Sequence, residues 1–212
     1  MTPIRVLLVD DHAVVRMGYR TLLEGYAEIA VTGEAGSGEA ALSLYQELKP
    51  DVVIMDLALP GIGGLEAIRR ILQRDPQARV LVFSMYEDPG FVEQALRAGA
   101  GGYIPKSSTP EVLLMALKQV AAGEIYLDPH LAQIVAVQKS LGVDSPFAPL
   151  SPREFEVFGM LAKGHSVAEI AEKLSLSAKT VANYGTQIKA KLKASTSADL
   201  ARLAIRHGVI SA

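Results

Sequence analysis

The chain has no cysteine among its 212 residues, which excludes disulfides, thiolate nucleophiles and cysteine-ligated zinc or iron–sulfur centres. No basic and apolar leader precedes its first strand pattern. No apolar stretch approaches the roughly 20 residues that span a bilayer. The expectation is a cytoplasmic protein with no membrane partner. Repeats and low-complexity tracts are also missing. Acids are scarce at one end: residues 131–212 hold six against ten bases, whereas residues 1–130 hold seventeen against eleven. The formal charge of −2 therefore divides into a front of −6 and a back of +4. A basic back is expected where only that part meets a polyanion.

What is present is ordinary globular material, 50% apolar and 21% charged. The length suffices for one large or two small domains, each with a core of its own. Strand patterns fall at 4–9, 29–35, 51–55, 80–84 and 101–104, and helical patterns at 13–25, 37–48, 64–73, 89–98 and 109–122. Ser37 precedes the second helix, Asp88-Pro89 and Thr109-Pro110 combine a cap with a first-turn proline, and Gly99 follows the fourth. Five strands alternating with five helices over residues 1–125 predict an α/β fold, a doubly wound five-stranded parallel sheet. Residues 126–149 read as a helical linker, helical to about Leu141 and rich in breakers over 142–149. From 150 to 212 the signals change to four short helices without strands, a second, smaller all-α domain. Ser151-Pro152-Arg153-Glu154 and Ser166-Val167-Ala168-Glu169 are capping boxes, and Ser177 caps a longer run over 178–193. Thr196 to Asp199 opens the last helix. The short helix, the Ser175-Leu176-Ser177 turn and the longer helix form a helix-turn-helix.

In a doubly wound sheet, function gathers outside the C-terminal strand ends. Asp10 and Asp11 close the first strand, Asp56 the third, Ser84 the fourth and Lys106 the fifth. Three carboxylates at one edge repel unless a cation joins them, and an all-oxygen set suits magnesium. Lys106 and the Ser84 hydroxyl can hold further oxygens of a phosphoryl group. In-line phosphoryl transfer requires mostly positioning and charge stabilisation, so Asp56 is the natural nucleophile. The four histidines, His12, His130, His165 and His207, lie in separate elements with no metal-ligand spacing and are expected in surface or loop roles.

At the basic end, residues 175–212 hold six Lys and Arg against Asp199 alone. Lys179, Lys189, Lys191 and Lys193 flank the longer helix, where phosphate contacts would supply salt-dependent affinity for double-stranded DNA. Between them Ala182-Asn183-Tyr184-Gly185-Thr186-Gln187 carries no charge, so no bidentate cation can read guanine there. Asn183 and Gln187 share a helix face and are suited to adenine, while Ala182 or Thr186 suits a thymine methyl. An A/T-leaning motif is expected. Gly185 inside this helix costs about 1 kcal/mol relative to Ala, which a close backbone approach would explain.

Val9-Asp10-Asp11-His12, Asp51 to Asp56, Leu59-Pro60-Gly61, Gly64-Leu65-Glu66, Ala98 to Tyr103 and Lys106 occur in this order, followed by Leu150 to Glu154, Glu169-Ile170-Ala171 and Lys179-Thr180-Val181. Over essentially its whole length the chain resembles two-component response regulators of the NarL/FixJ type, with a flavodoxin-like receiver domain and a LuxR-type helix-turn-helix. The resemblance implies that Asp56 accepts phosphate from a sensor histidine kinase. It implies magnesium held by Asp11, Asp56 and the Ala58 carbonyl, with Asp10 partly through water. Ser84 and Lys106 would grip the phosphoryl group, and Tyr103 would swing inward as Ser84 moves. The DNA contacts expected from the helix-turn-helix are Lys179, Thr180, Ala182, Asn183, Thr186, Gln187, Lys189 and Lys191, a helix that departs from the basic stretch of many relatives. Phosphorylation would promote homodimerisation, release of the DNA-binding helix, or both. Ser107 stands where many receivers carry a proline, and Gly63 where a polar residue is common.

Two other readings stand beside it. A magnesium-dependent phosphatase with an aspartyl intermediate would want an acid two residues beyond Asp56, where this chain has Ala58, and a cap insertion that is missing. A DNA-binding regulator independent of phosphate would have no use for a complete acid set. Self-catalysed phosphoryl transfer does not make the chain a turnover enzyme.

Overall fold

The computed structural model describes residues 2–87, 89–140, 146, 147, 149–207, 209 and 210. The chain divides into two compact units, Met1–Glu87 with Ala95–Pro129, and Asp88–Gln94 with His130–Ala212.

In the first unit the strands are β1 Ile4–Val9, β2 Ile29–Ala35, β3 Val52–Met55, β4 Val80–Ser84, β5 Gly102–Pro105 and β6 Tyr126–Leu127. They form one sheet in the order β2-β1-β3-β4-β5-β6, with every pair parallel. The order reverses direction at β1, as a doubly wound sheet requires. The helices are α1 Ala13–Glu24, α2 Gly38–Leu48, α3 Gly64–Arg74 and α5 Pro110–Ala121, while α4 Pro89–Arg97 has its residues to Gln94 in the second unit and the rest in the first. Val6, Leu8, Val52, Ile54, Leu81, Phe83 and Ile104 alternate along the strands into one core with Leu23 of α1 and Leu113, Leu117 and Val120 of α5. The intervening Leu7, Val9, Val53 and Met55 are equally buried and face the opposite side of the sheet. With both faces covered, the strands read as unbroken apolar runs.

The sheet has six strands where the sequence predicts five. Tyr126–Leu127 adds a two-residue strand beside β5, pairing Tyr126 with Gly102 and Leu127 with Tyr103. The Tyr126 N–H donates to the Gly101 carbonyl at 3.0 Å.

Two glycines shape the loop from β3 to α3. Gly63, the cap residue of α3, has φ +74, a left-handed value that disfavours the polar residue common there in receivers. Gly64 permits a close approach. A Cβ at Gly64 would lie 2.1 Å from the Asp56 carbonyl oxygen and 2.6 Å from Leu57 Cα. Both are backbone atoms that cannot rotate aside. Gly64→Ala is therefore expected to destabilise the chain by about 3 kcal/mol and to push Asp56 out of register. Urea unfolding checks the first effect, and an unchanged midpoint would contradict the close approach.

The second unit contains α6 Pro129–Ser140, α7 Pro152–Ala162, α8 Val167–Lys173, α9 Ala178–Leu192 and α10 Ser197–Arg206. Capping boxes open three of these helices, formed by Ser151 with Glu154, Ser166 with Glu169 and Thr196 with Asp199. Each satisfies backbone donors the helix cannot use, worth about 1 kcal/mol per cap. Ser177 Oγ accepts the Thr180 N–H at 3.0 Å to start α9. The core gathers Phe155, Phe158, Ile170, Val181, Ile188, Leu200 and Ala204, with α7 against α9 and α10, and α8 against α9. Of the expected linker, residues 141–145 and 148 lie outside the described residues, as does the cap position Asp88.

Candidate functional site

Strand register brings the acids together. Val9 pairs with Met55, and Ser84 with Pro105, so the residues that follow share one edge. Backbone bonds carry the ladder one step further. Asp10 N–H donates to Ala35 O at 3.0 Å, Asp56 N–H to Val9 O at 2.9 Å, and Lys106 N–H to Ser84 O at 2.8 Å.

Lys106 Nζ donates to Asp10 Oδ2 and to Asp56 Oδ2, at 2.6 Å each. The three side chains are only 7%, 4% and 2% exposed, which makes them the floor of the site. Burial pulls the Lys106 ammonium down, but the Asp56 charge and the hydrogen bonds to Asp10 and Asp56 outweigh it and hold the group above its ordinary pKa. Asp56 Oδ1 accepts a longer bond, 3.3 Å, from the Ala58 N–H. Asp10 Oδ1 accepts the His12 N–H at 2.8 Å. At the rim the Asp11 carboxylate, 32% exposed, meets His12 Nδ1 at 2.7 Å.

Ligand atoms of Asp10, Asp11, His12 and Asp56 all lie within 4.8 Å of one another. Three carboxylates suit a hard, oxygen-preferring cation, so the donor set fits magnesium. His12 enters this cluster, although its sequence spacing assigns it no metal role. Its adjacency to Asp11 was the available signal. Arg16 is a second residue beyond the sequence reading, its Nη1 donating to the Asp10 carbonyl at 2.5 Å.

Ser84 is fully buried, its Oγ accepting the Tyr86 N–H at 3.4 Å, while the Tyr86 carbonyl accepts the Tyr103 hydroxyl at 2.6 Å. Tyr103 is itself wholly buried. No cis peptide bond occurs among the described residues, the bond between Lys106 and Ser107 included.

In the second unit α9 exposes Lys179, Ala182, Asn183, Thr186 and Gln187, with Thr180 and Lys189 half-buried. Thr186 Oγ1 donates back to Ala182 O at 3.1 Å, and Thr180 Oγ1 lies 2.7 Å from Ser177 Oγ. A Cβ at Gly185 would meet only Leu161 Cδ1, at an ordinary 3.7 Å, so packing within this unit does not demand glycine there.

Lys191 differs from its neighbours on the basic helix. Its Nζ meets Glu154 Oε2 at 2.6 Å, tying α9 to the first turn of α7. Burial raises the Glu154 carboxyl, but the bonds from Lys191 and Ser151 outweigh it and hold the group below its ordinary value of 4.5. A depressed folded pKa stabilises above the unfolded value, and that contribution is lost as pH falls through the folded one. Thermal stability is therefore expected to decline below about pH 4.5, less steeply in Glu154→Gln. That variant should cost about 2 kcal/mol at neutral pH. Identical pH slopes in calorimetry would contradict the assignment.

Residues 6–118 match the family model of the response regulator receiver domain, and residues 148–204 that of bacterial regulatory proteins of the luxR family. The response regulator GacA of Pseudomonas aeruginosa is 43% identical over 211 residues, 99% of each chain. The transcriptional activator protein ExaE of Pseudomonas putida is 48% identical over 209 residues, 97% of each. Among solved structures, RcsB from Salmonella enterica serovar Typhimurium, bound to promoter rprA with the phosphomimetic BeF3−, aligns at TM-score 0.68 and 26% identity, over 95% of this chain and 98% of that one. The matched relatives are regulators by name. An acid-lined sheet edge in one unit and a capped helix-turn-helix in the other are what such proteins need, and the chain belongs to the response regulators of the NarL/FixJ type, phosphorylation-controlled transcriptional regulators that join a receiver to a LuxR-type DNA-binding domain.

Proposed function

We propose that Asp56 is the phosphoacceptor and that a sensor histidine kinase is its donor. The observation that carries this reading is the Lys106 ammonium bridging two buried carboxylates beside a third at the rim. Asp56 Oδ2 is committed to Lys106, whereas among the described residues Oδ1 holds only the 3.3 Å bond from Ala58, so Oδ1 is the attacking atom. As it bonds to phosphorus, the phosphorus–nitrogen bond of the donor phosphohistidine breaks, and its electron pair stays on the imidazole. Asp11, Asp56 and the Ala58 carbonyl would hold magnesium, with Asp10 beside them. Bound there, the ion supplies positive charge against the carboxylates and the incoming phosphoryl oxygens. Lys106 stabilises a second phosphoryl oxygen and the Ser84 hydroxyl donates to a third. Movement of Ser84 passes through the Tyr86 backbone to Tyr103, because Tyr86 bonds to both.

Residues 1–125, extended by the sheet strand Tyr126–Leu127, form the receiver, the rest of 126–149 the linker and 150–212 the DNA-binding domain. Chemistry at Asp56 is intrinsic self-phosphorylation and dephosphorylation, not turnover of a diffusible substrate. The protein works in the cytoplasm and dimerises when phosphorylated or bound to DNA. Structures of RcsB include two dimers bound to two parallel DNAs, which supports the DNA and dimer assignments here. Incubation with acetyl phosphate and magnesium is expected to add one phosphoryl mass to the intact chain. No gain under those conditions would refute the phosphoacceptor assignment.

On DNA, Lys179, Thr180 and Lys189 contact phosphates and Ala182, Asn183, Thr186 and Gln187 face the bases. Lys191 acts chiefly through Glu154. Selection from a random DNA pool is expected to return half-sites with an A/T core. Asn183→Ala should relax the preference at one position by about 1–3 kcal/mol. Guanine-dependent half-sites indifferent to Asn183→Ala would contradict this reading.

A further inference from the structure

The first strand ends at Val9, and the carbonyl of the next residue, Asp10, lies beyond the strand. Arg16 is bonded to it. Its Nη1 donates to Asp10 O at 2.5 Å, while its Nε donates to Glu34 Oε2 at 3.1 Å. Glu34 also accepts Arg20 Nη1 at 2.5 Å, and Arg20 Nε meets Glu24 at 3.0 Å. The guanidinium is thus held between α1 and β2 with its plane fixed by two separate acceptors.

Asp10 is consequently bound at every polar group of its residue. Its N–H goes to Ala35 O, its carbonyl accepts Arg16, and its two carboxylate oxygens accept the His12 N–H and Lys106. The peptide that Arg16 holds is the one that leads into Asp11. Fixing that peptide fixes the backbone from which the Asp11 side chain departs, and His12 Nδ1 meets its carboxylate at 2.7 Å. The bond from Arg16 to Glu34 neutralises the guanidinium locally, so its contribution to the acid site is geometric and does not add a competing positive field.

We propose that Arg16 is a positioning residue for the acid site, setting the direction of Asp11 through the Asp10 carbonyl so that a divalent cation meets preformed ligands. This rests on the reading of that edge as a magnesium site. Residues that orient metal ligands from behind are worth roughly 10–100-fold in affinity. A donor to a backbone carbonyl one residue away from the ligand belongs near the lower figure.

The test is calorimetric titration of the full chain with magnesium, without any phosphoryl donor, alongside thermal midpoints in EDTA. Arg16→Met is expected to weaken magnesium binding about 10-fold. Arg16→Gln, polar but too short to reach the Asp10 carbonyl, should weaken it similarly and serves if the first variant does not fold. Glu34→Gln keeps the donor to Asp10 and should lose less than either. A purely structural role would lower the EDTA midpoint of the Arg16 variant while leaving its magnesium affinity at the parent value, and that result overturns the proposal. Failure of the parent itself to bind magnesium would instead overturn the metal-site reading on which it rests.

Discussion

Asp56→Asn is expected to cut phosphorylation by acetyl phosphate at least about 100-fold, because a neutral amide oxygen is a poor nucleophile and forms no stable acyl phosphate. The substitution is nearly isosteric. The amide can still accept the Ala58 N–H and face Lys106, so the fold has little reason to change. It also removes one of three clustered negative charges. Stability in EDTA should therefore stay at or above that of the parent. Intact-mass measurement reads the first expectation and thermal unfolding the second. A variant that gains phosphoryl mass at the parent rate would move the acceptor elsewhere.

Lys106→Met should have the largest effect on stability. Two buried carboxylates accept the same ammonium at 2.6 Å, and its removal leaves both facing Asp11 without that cation. Breaking a buried pair from one side costs about 3–5 kcal/mol. The loss should appear in full in EDTA. Millimolar magnesium should recover more stability in the variant than in the parent, since ligand binding to the folded state stabilises it by mass action. Urea midpoints with and without magnesium measure this directly. Equal midpoints for variant and parent in EDTA would show that the ammonium does not hold the acids.

Much of this architecture was legible because buried parallel strands write themselves as unbroken apolar runs. The residue just past each run then falls at a single edge. Asp10, Asp56, Ser84 and Lys106 were placed by that rule, and the register of β1 with β3 and of β4 with β5 puts them side by side. Tyr126–Leu127 escaped because two residues carry no period. Arg16 escaped because a guanidinium bonding a backbone carbonyl six residues earlier leaves no spacing signature. Lys191 reads as a phosphate contact on a basic helix, and its further partner Glu154, 37 positions upstream inside a capping box, has no spacing signal. Pairing across such a separation is a property of the packed helices.

Gly64 shows a different kind of limit. Its identity follows from the 2.1 Å that a Cβ would leave to the Asp56 carbonyl, a constraint invisible until α3 is seated on the end of β3. The uncharged stretch of α9 was plain in the sequence, and its exposure leaves Asn183 and Gln187 available to bases.

The most direct test of the account joins its two ends. Fluorescence anisotropy would follow binding of the full chain to a selected DNA site, with and without acetyl phosphate and magnesium, in the parent and in Asp56→Asn. Phosphorylation is expected to tighten binding by the parent at least about 10-fold, a coupling of about 1.4 kcal/mol, and to leave Asp56→Asn unchanged. Equal affinity of the parent in both states, or an equal gain in Asp56→Asn, would contradict it.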